Sequence, residues 1–241
     1  MLHFVLVEPA VPENVGAAAR ALKTMGWSSL WIVNSQVHRD KPARILAHGS
    51  GDILDNVQTF PDLAAVRQRV DLLVGTSAKP RHRRDLLLPP ESVRDLLQSK
   101  QGSVGECALV FGREESGLHG DEIALCDVLT SIPLAVSYPS LNLGQAVMLY
   151  AYALQGAGLQ APATVAQAAD QYAALRHKCE ALLQTSGYQP GETLYQWLLE
   201  RLSLFNTRDI GFAHHLIDRL GRSPFGRRQP PDKHSDDISF K

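Results

Sequence analysis

Apolar residues follow two alternating patterns along residues 1–157 of the chain. Short runs rich in leucine, isoleucine and valine predict five strands, at residues 3–7, 30–33, 72–75, 108–111 and 128–132. Between these runs, apolar positions recur at helical spacing and predict helices at residues 15–25, 63–70, 91–97, 121–125 and 143–155. Strands that alternate with helices are typical of a mostly parallel sheet covered on both faces. The pattern therefore predicts an α/β domain over residues 1–157.

The pattern changes after residue 157. Residues 158–164 contain proline, glycine and other small residues that break a helix, and they predict a linker. From residue 165 to residue 220, leucines, alanines and aromatic residues recur only at helical spacing, which predicts a small helical extension. Residues 221–241 are polar and contain several prolines, with too few apolar residues to offset the entropy of ordering, so we expect a flexible tail.

The composition is that of an ordinary globular protein, with 44% hydrophobic and 20% charged residues. No stretch approaches the ~18 uninterrupted apolar residues of a membrane span. The first nine residues have the pattern of a strand and lack the basic start of a signal peptide. We therefore expect a cytoplasmic protein that makes no contact with membranes.

The formal net charge of −1 argues against a protein that coats nucleic acid indiscriminately. Any contact with RNA must be local. Basic residues are concentrated in two clusters, one in the middle of the chain and one near its end: Arg81, Arg83 and Arg84, then Arg219, Arg222, Arg227 and Arg228. Each cluster taken alone is also explained by a solvated surface or tail.

The three cysteines, Cys107, Cys126 and Cys179, are widely spaced, and no CxxC pair or Cys/His cluster offers the spacing of metal ligands. We therefore expect buried reduced thiols and no catalytic metal.

The first polar segment with candidate chemistry follows the first predicted strand. Asn14 is the predicted N-cap of a helix rich in alanine, and Gly26 is its predicted end. Arg20 and Lys23 lie three residues apart and therefore near one another on the helix surface. This arrangement suits a clamp for phosphate or ribose, although a capped helix with exposed basic residues has the same pattern.

The second segment begins where the strand at residues 108–111 meets Gly112. The missing Cβ lets the backbone approach a ligand closely, and charged residues, including Arg113 and Glu114, follow at the carboxyl end of the strand. Open α/β sheets bind their ligands at that end of the strands. A tight turn with solvated charges is the alternative interpretation.

The third segment places Ser140 and Asn142 just before a long apolar helix. N-capping by Ser140 would explain the serine but not the asparagine. The chain has neither GxGxxG after its first strand nor GxxxxGK[ST], which argues against a standard dinucleotide site and a P-loop.

In chain order, the three segments read NxGxxxRxxxxxG, FGxExxGL and IPxxxxxxSLNLxxA. With this order and spacing, they resemble motifs 1, 2 and 3 of the SPOUT superfamily of RNA methyltransferases, in its SpoU branch, over about residues 2–154. Within that branch the chain is similar to the TrmJ and LasT group, which shares the KTMG ending of motif 1, a GTSA strand end and a C-terminal helical extension.

The resemblance implies an α/β fold with a deep C-terminal trefoil knot that binds S-adenosylmethionine, and a homodimer whose active site uses residues of both subunits. It places Arg20 of one subunit opposite the cofactor of the other. The implied cofactor-binding residues are Thr76, Ser77, Ala78, Gly112, Ile132, Ser140, Leu141 and Asn142, and the implied catalytic residues are Asn14, Arg20, Glu114, Ser140 and Asn142. Candidate RNA contacts are Lys23, Arg81, Arg83, Arg84, Arg113, Arg227 and Arg228.

The resemblance further implies methyl transfer to a ribose 2′-hydroxyl of transfer RNA. Ribosomal RNA is an alternative target. Methylation of a base is a second alternative, although superfamily members that methylate bases lack the Asn-to-Arg arrangement of motif 1. A knotted RNA-binding protein without catalysis is a third, and the joint presence of Arg20, Glu114, Ser140 and Asn142 argues against it.

Overall fold

The computed structural model describes residues 1–78, 87–100, 102–136, 140–157 and 170–222. Within them, seven strands form one sheet: β1 (Leu2–Val7), β2 (Leu30–Val33), β3 (Gln58–Phe60), β4 (Leu72–Thr76), β5 (Leu87–Leu88), β6 (Cys107–Phe111) and β7 (Val128–Thr130). Their order is β3-β2-β1-β6-β4-β7-β5, and every neighbouring pair is parallel. All the carboxyl ends therefore lie at one edge of the sheet.

Helices connect the strands. The sheet domain contains α1 (Pro12–Thr24), α2 (Lys41–Ala47), α3 (Gly51–Asp55), α4 (Leu63–Arg67), α5 (Pro90–Ser99), α6 (Gly120–Leu125) and α7 (Leu143–Ala153), with a short 3₁₀ helix at Val37–Arg39. The C-terminal part contains α8 (Asp170–Thr185), α9 (Thr193–Ser203) and α10 (Thr207–Arg222), which we call the helical module.

The central strands β1, β6 and β4 are apolar at every position except His3 and Thr76, because helices cover both faces of the sheet. Phe4 and Leu6 of β1 pack in the core beneath α1, α5 and α7. Val5 and Val7 of the same strand point the other way and pack with residues of α4 and α6. The structure thus confirms the predicted parallel α/β architecture.

The sequence analysis did not predict the shortest strands and helices. The strand β3 has the sequence QTF and is largely exposed at the edge of the sheet, and β5 has only two residues. Neither has the apolar run that marks a central strand. The helices α2 (7 residues) and α3 (5 residues) were not predicted either. A helical periodicity of apolar residues is visible only over a longer stretch of sequence.

The helical module packs at the amino-terminal ends of the strands. Tyr172, Leu175 and Ile210 are fully buried and belong to the same apolar core as the helices of the sheet domain. The ammonium group of Lys100, at the end of α5, donates a hydrogen bond to the carbonyl of Phe205 (2.7 Å). Burial lowers the pKa of Lys100 to about 8. The module is therefore an integral part of the folded chain.

An ion network joins the module to the sheet. The carboxylate of Asp127, just before β7, is almost fully buried. It accepts a hydrogen bond from the backbone amide of Leu73 in β4 (2.8 Å) and pairs with Arg67 (3.3 Å) and with Arg176 of α8. Arg176 also pairs with Glu180. One carboxylate thus connects two strands of the sheet to the first helix of the module.

The predicted division into a domain, a linker, an extension and a tail stays a prediction. The helix α10 continues to Arg222, two residues past the predicted end of the extension, while the predicted linker at 158–164 and residues 223–241 of the predicted tail lie outside the described residues. Cys107, Cys126 and Cys179 are buried and form no disulfide with one another. The described part of the chain includes no helix that is long and apolar enough to cross a membrane.

Candidate active site

A cavity of 540 Å³ lies at the carboxyl ends of β6, β4 and β7, which are adjacent in the sheet. The residues that follow these strands form its floor, and the start of α7 forms one wall. This is the edge where parallel sheets bind ligands, because the chain leaves each strand there and diverges around a crevice. Its size is that of a site for a small organic molecule.

The lining of this cavity includes most of the residues that the sequence assigns to a cofactor. They are Thr76, Ser77, Ala78, Gly112, Ile132, Ser140 and Leu141. Asn142 does not line the cavity and instead lies at the start of α7. The prediction missed other lining residues, among them Ser131, Leu134 and Tyr150. Tyr150 lies on a long apolar helix, where nothing in the local pattern separates a wall of a cavity from the core.

Gly112 is required by the chain's own backbone. A Cβ at this position would lie 2.1 Å from the carbonyl carbon of Gly117 and 2.2 Å from the amide nitrogen of Leu118. The turn closes through paired backbone hydrogen bonds between Arg113 and Gly117. This backbone contact is a second reason for glycine at position 112, which also lines the cavity, while the close approach of a ligand stays a prediction. Substitution of Gly112 would disturb the turn before it reported on any ligand.

A chain of hydrogen bonds joins the three polar segments. The Glu114 carboxylate accepts from the side-chain amide of Asn14 (2.9 Å) and from the backbone amides of Ala10 and Val11. The Asn14 side-chain oxygen accepts from the amide of Asn142 (2.8 Å). Asn14 is 100 positions from Glu114 and 128 from Asn142 in sequence, and it is buried between them. The structure thus brings together three of the predicted catalytic residues.

Glu114 is an ionised acceptor in this network. Partial burial raises the pKa of its carboxyl group, but the hydrogen bonds from Asn14 and from the backbone amides outweigh burial and hold the pKa below its usual value. An ionised carboxylate accepts hydrogen bonds and has no proton to donate. Glu114 therefore anchors the loop between β1 and α1 and orients Asn14.

Two helix caps differ from the sequence prediction. The helix α1 begins at Pro12 with Val11 as its N-cap, so Asn14 lies in the first turn and its side chain is directed to Glu114 and Asn142. The N-cap of α7 is Asn142, whose side chain accepts from the amide of Gly144 (2.8 Å), and Ser140 lies two residues earlier. A proline at the first helical position and an asparagine cap both fit the usual preferences.

Arg20 lies on the exposed surface of α1 and does not line the cavity. Among the described residues, no carboxylate pairs with its guanidinium group. The helix α1 lies directly on α2, because a Cβ at Gly16 would be 2.2 Å from the carbonyl oxygen of Ala43. Within one chain, Arg20 is thus held on a closely packed helix outside the cavity.

The other basic candidates have different surroundings. The ammonium group of Lys23 pairs with Asp52 at 2.6 Å. Arg113 is largely buried and pairs with Glu8 at 2.6 Å and with Glu122 at 2.9 Å, so its donors are directed to carboxylates of its own chain; its contact with RNA stays a prediction. Five candidates lie outside the described residues: Arg81, Arg83, Arg84, Arg227 and Arg228.

Within the described ranges, no group of three or more His, Cys, Asp or Glu residues has the arrangement of a metal site.

The sequence model of the SpoU rRNA methylase family matches residues 1–152, which include every element of the cavity. The chain belongs to this SpoU family. A second model, the C-terminal domain of the tRNA/rRNA methyltransferase LasT, matches residues 169–223 and so covers the helical module.

Individual SpoU relatives agree with this assignment. An uncharacterised tRNA/rRNA methyltransferase, LasT of Escherichia coli (strain K12), is 47% identical over 224 residues, which cover 92% of this chain and 98% of LasT. The tRNA (cytidine/uridine-2′-O-)-methyltransferase TrmJ of Klebsiella pneumoniae is 39% identical over 160 residues, 66% of this chain and 65% of TrmJ. A solved structure of a methylase-family protein from Haemophilus influenzae Rd KW20 has a TM-score of 0.61 and 28% identity, and the match covers 92% of this chain and 96% of that one.

These similarities confirm the family that the three motifs indicated. The chain is a member of the tRNA/rRNA methyltransferases of the SpoU family, with the parallel α/β sheet of its structural relatives.

Proposed function

We propose that this SpoU-family chain transfers a methyl group from S-adenosylmethionine to a ribose 2′-hydroxyl of transfer RNA in the cytoplasm. The observation that carries the proposal is the hydrogen-bonded set of Glu114, Asn14 and Asn142 beside the 540 Å³ cavity. Support for the ribose comes from TrmJ, whose name specifies 2′-O-methylation of cytidine or uridine in tRNA.

The lining of the cavity fits S-adenosylmethionine. Ile132, Leu134 and Leu141 offer apolar surface for an adenine ring, while Glu115 and Ser116 offer polar groups for the amino-acid end. When bound, the cofactor supplies a methyl group that is already activated by its sulfonium. The proposal includes the trefoil knot that the family resemblance implies around this pocket.

The protein's main task in such a reaction is positioning. Arginine has a pKa far above neutrality, so Arg20 is a poor proton acceptor. We assign it to electrostatic stabilisation of the negative charge that develops on the ribose oxygen, with water or an RNA phosphate taking the proton. The Glu114 carboxylate fixes Asn14 and, through it, the start of α7 at the edge of the cavity.

The proposed enzyme is a homodimer. Arg20 does not line the cavity of its own chain, and the family resemblance places it opposite the cofactor of the partner subunit. Large apolar side chains are exposed on the two helices that flank α1: Ile45 (62% exposed) and Leu46 on α2, and Leu149 and Tyr152 (65% exposed) on α7. Large apolar side chains that are exposed on neighbouring helices are typical of an interface.

Ribosomal RNA is the second candidate substrate, because the names of the matched family and of LasT include rRNA. One experiment separates the alternatives: incubation of the protein with labelled S-adenosylmethionine and total cellular RNA, followed by mapping of the modified nucleotide by mass spectrometry. We expect label on a ribose of tRNA. Label on rRNA or on a base would correct the substrate, and no label on any RNA would contradict the proposed activity.

We expect Ser131→Phe to lower the affinity for S-adenosylmethionine at least about tenfold, because an added aromatic ring would occupy part of the cavity that Ser131 lines. The measurement is titration calorimetry on the folded variant. The same change at Ser186, an exposed residue after α8, controls for the added ring and should leave the affinity unchanged. Normal binding by Ser131→Phe would contradict the placement of the cofactor in this cavity.

The helical module is also expected to assist RNA binding through the basic residues of α10. Truncation is an unsuitable test, because removal of the module would expose the core around Tyr172. The exposed Arg219 allows a point test. If it contacts a phosphate, Arg219→Ala should reduce the slope of log Kd against log salt by about one. Arg94→Ala on α5 is the matched control, and equal slopes for the two variants would remove α10 from the RNA interface.

A further inference from the structure

A second groove lies at the same edge of the sheet as the cavity. It is formed where β2 and β3 end, and it has a volume of 420 Å³. Its lining consists of Asn34, Ser35, Gln36, Thr59, Phe60 and Pro61. None of the three polar segments that resemble family motifs contributes a residue to it.

The chemistry of this groove suits a nucleobase. Its lining has amide and hydroxyl groups together with one aromatic ring, and it includes no charged side chain. The side chain of Gln36 is exposed and has no hydrogen-bond partner among the described residues. Side-chain amides pair with the donor and acceptor groups of base edges, whereas phosphates are bound mainly by Arg and Lys. Aromatic rings stack on splayed-out bases of RNA.

The groove is held in a fixed shape. Asn34 has a φ of +49°, and the neighbouring Glu8 has a φ of +46°. Side chains other than glycine adopt such backbone angles rarely, and they persist where surrounding contacts impose them. Here the backbone amide of Asn34 donates to the carbonyl of Phe60 (2.9 Å), and the Ser35 hydroxyl donates to the carbonyl of Pro9 (3.0 Å). The ring of Phe60 packs against Trp31.

Side-chain contacts connect the groove to the cavity. The Glu8 carboxylate accepts from the amide of Asn34 (2.9 Å) and from Arg113 (2.6 Å), and Arg113 lines the cavity. The hydrogen bonds from Arg113 and Asn34 lower the pKa of Glu8 to about 2, so this connection stays ionised at neutral pH. Two strand spacings, about 10 Å, separate the end of β2 from the end of β6.

We propose that this groove binds a nucleobase of the RNA substrate close to the methylated ribose, and that Gln36 reads the edge of that base. The inference rests on the proposed function, because it assumes that RNA lies across this edge of the sheet. It assigns part of the selection of the target site to residues 34–36 and 59–61, outside the catalytic network.

The first test is a kinetic comparison of Gln36→Ala and the double variant Gln36→Ala/Thr59→Val with the unaltered protein, using total tRNA as the methyl acceptor. Loss of a paired amide should raise KM about tenfold, with kcat within about twofold and no change in cofactor affinity. Gln68→Ala removes an equally exposed amide from the end of α4, outside the groove, and should leave KM unchanged. Equal KM values for the Gln36 and Gln68 variants would overturn the proposal.

The second test does not depend on methylation. Total tRNA that contains 4-thiouridine is crosslinked to the full protein, and the crosslinked peptides are identified by mass spectrometry. We expect crosslinks within residues 34–36 or 59–61. Methyl transfer without crosslinks there would overturn the groove assignment and leave the proposed function intact. Crosslinks in the groove without methyl transfer to any RNA would support the groove as an RNA site and contradict the proposed activity.

Discussion

Replacement of Arg20 by alanine should lower the rate of methyl transfer by about 10²–10³, the effect of removing one group that stabilises a developing oxyanion. The fold should tolerate the change, since Arg20 is exposed on α1 and alanine has the highest helix propensity. Cofactor affinity and melting temperature should stay near those of the unaltered protein. The measurement is single-turnover methylation of an RNA identified as a substrate. A folded, cofactor-binding variant with a nearly normal rate would contradict the assigned role.

Two further proteins sharpen this test. Arg94→Ala removes a surface arginine of α5 that pairs with its neighbour Asp95, and it should leave the rate unchanged. If Arg20 acts on the partner's cavity, a mixed dimer of one Arg20→Ala subunit and one Ser131→Phe subunit should be active. The Arg20→Ala subunit supplies an intact cavity, and the Ser131→Phe subunit supplies an intact arginine to it. Failure of the mixture to recover activity would place Arg20 in the site of its own chain or outside the site altogether.

Asp127→Asn should destabilise the whole chain. Removal of one partner from a buried ion pair costs about 3–5 kcal/mol, because the remaining charge has no counterion. Here the loss would leave Arg67 without a carboxylate partner among the described residues and Arg176 with Glu180 alone, and both arginines have little exposed surface. For a protein of this size, the expected fall in melting temperature is about 6–12 °C or more. Thermal unfolding followed by circular dichroism measures it.

The matched control is Asp218→Asn, which breaks the exposed pair between Asp218 and Lys178. Exposed pairs contribute little, so its melting temperature should change by no more than about 2 °C. If Asp127→Asn fails to fold, Arg176→Met provides a milder variant in which Asp127 keeps its pairing with Arg67. If Asp127→Asn and Arg176→Met both melt near the temperature of the unaltered protein, the network does not stabilise the attachment of the module.

Sequence periodicity predicted the elements whose character is local. A strand such as β6 is apolar along its whole length because both of its faces are buried, and that property is visible in five consecutive residues. The ends of such strands then indicate where a ligand site lies. The family resemblance, and not the periodicity, assigned eight residues to the cofactor; seven of them line the cavity, and their contact with the cofactor stays a prediction. The spacing of the three polar segments was sufficient to indicate the SpoU family.

Only the tertiary structure shows which residues that are distant in sequence form hydrogen bonds or ion pairs with one another. Asn14 looked like a helix cap, but packing places it between Glu114 and Asn142, which are 100 and 128 positions away. Arg113 is a predicted RNA contact, and only the tertiary structure shows that it also pairs with Glu8 and Glu122 of its own chain. No local pattern specifies such pairs, because they depend on which strands become neighbours in the sheet.

The sequence alone determined the parallel α/β domain, the helical extension and the residues at the ends of the central strands, since each depends on hydrophobic spacing over one element. The tertiary structure decided three further properties. It required Gly112 for a backbone contact, it placed the module at the amino ends of the strands, and it left Arg20 outside the cavity of its own chain. Each of these properties depends on how separate helices and strands pack against one another. The sequence of any single element does not specify that packing.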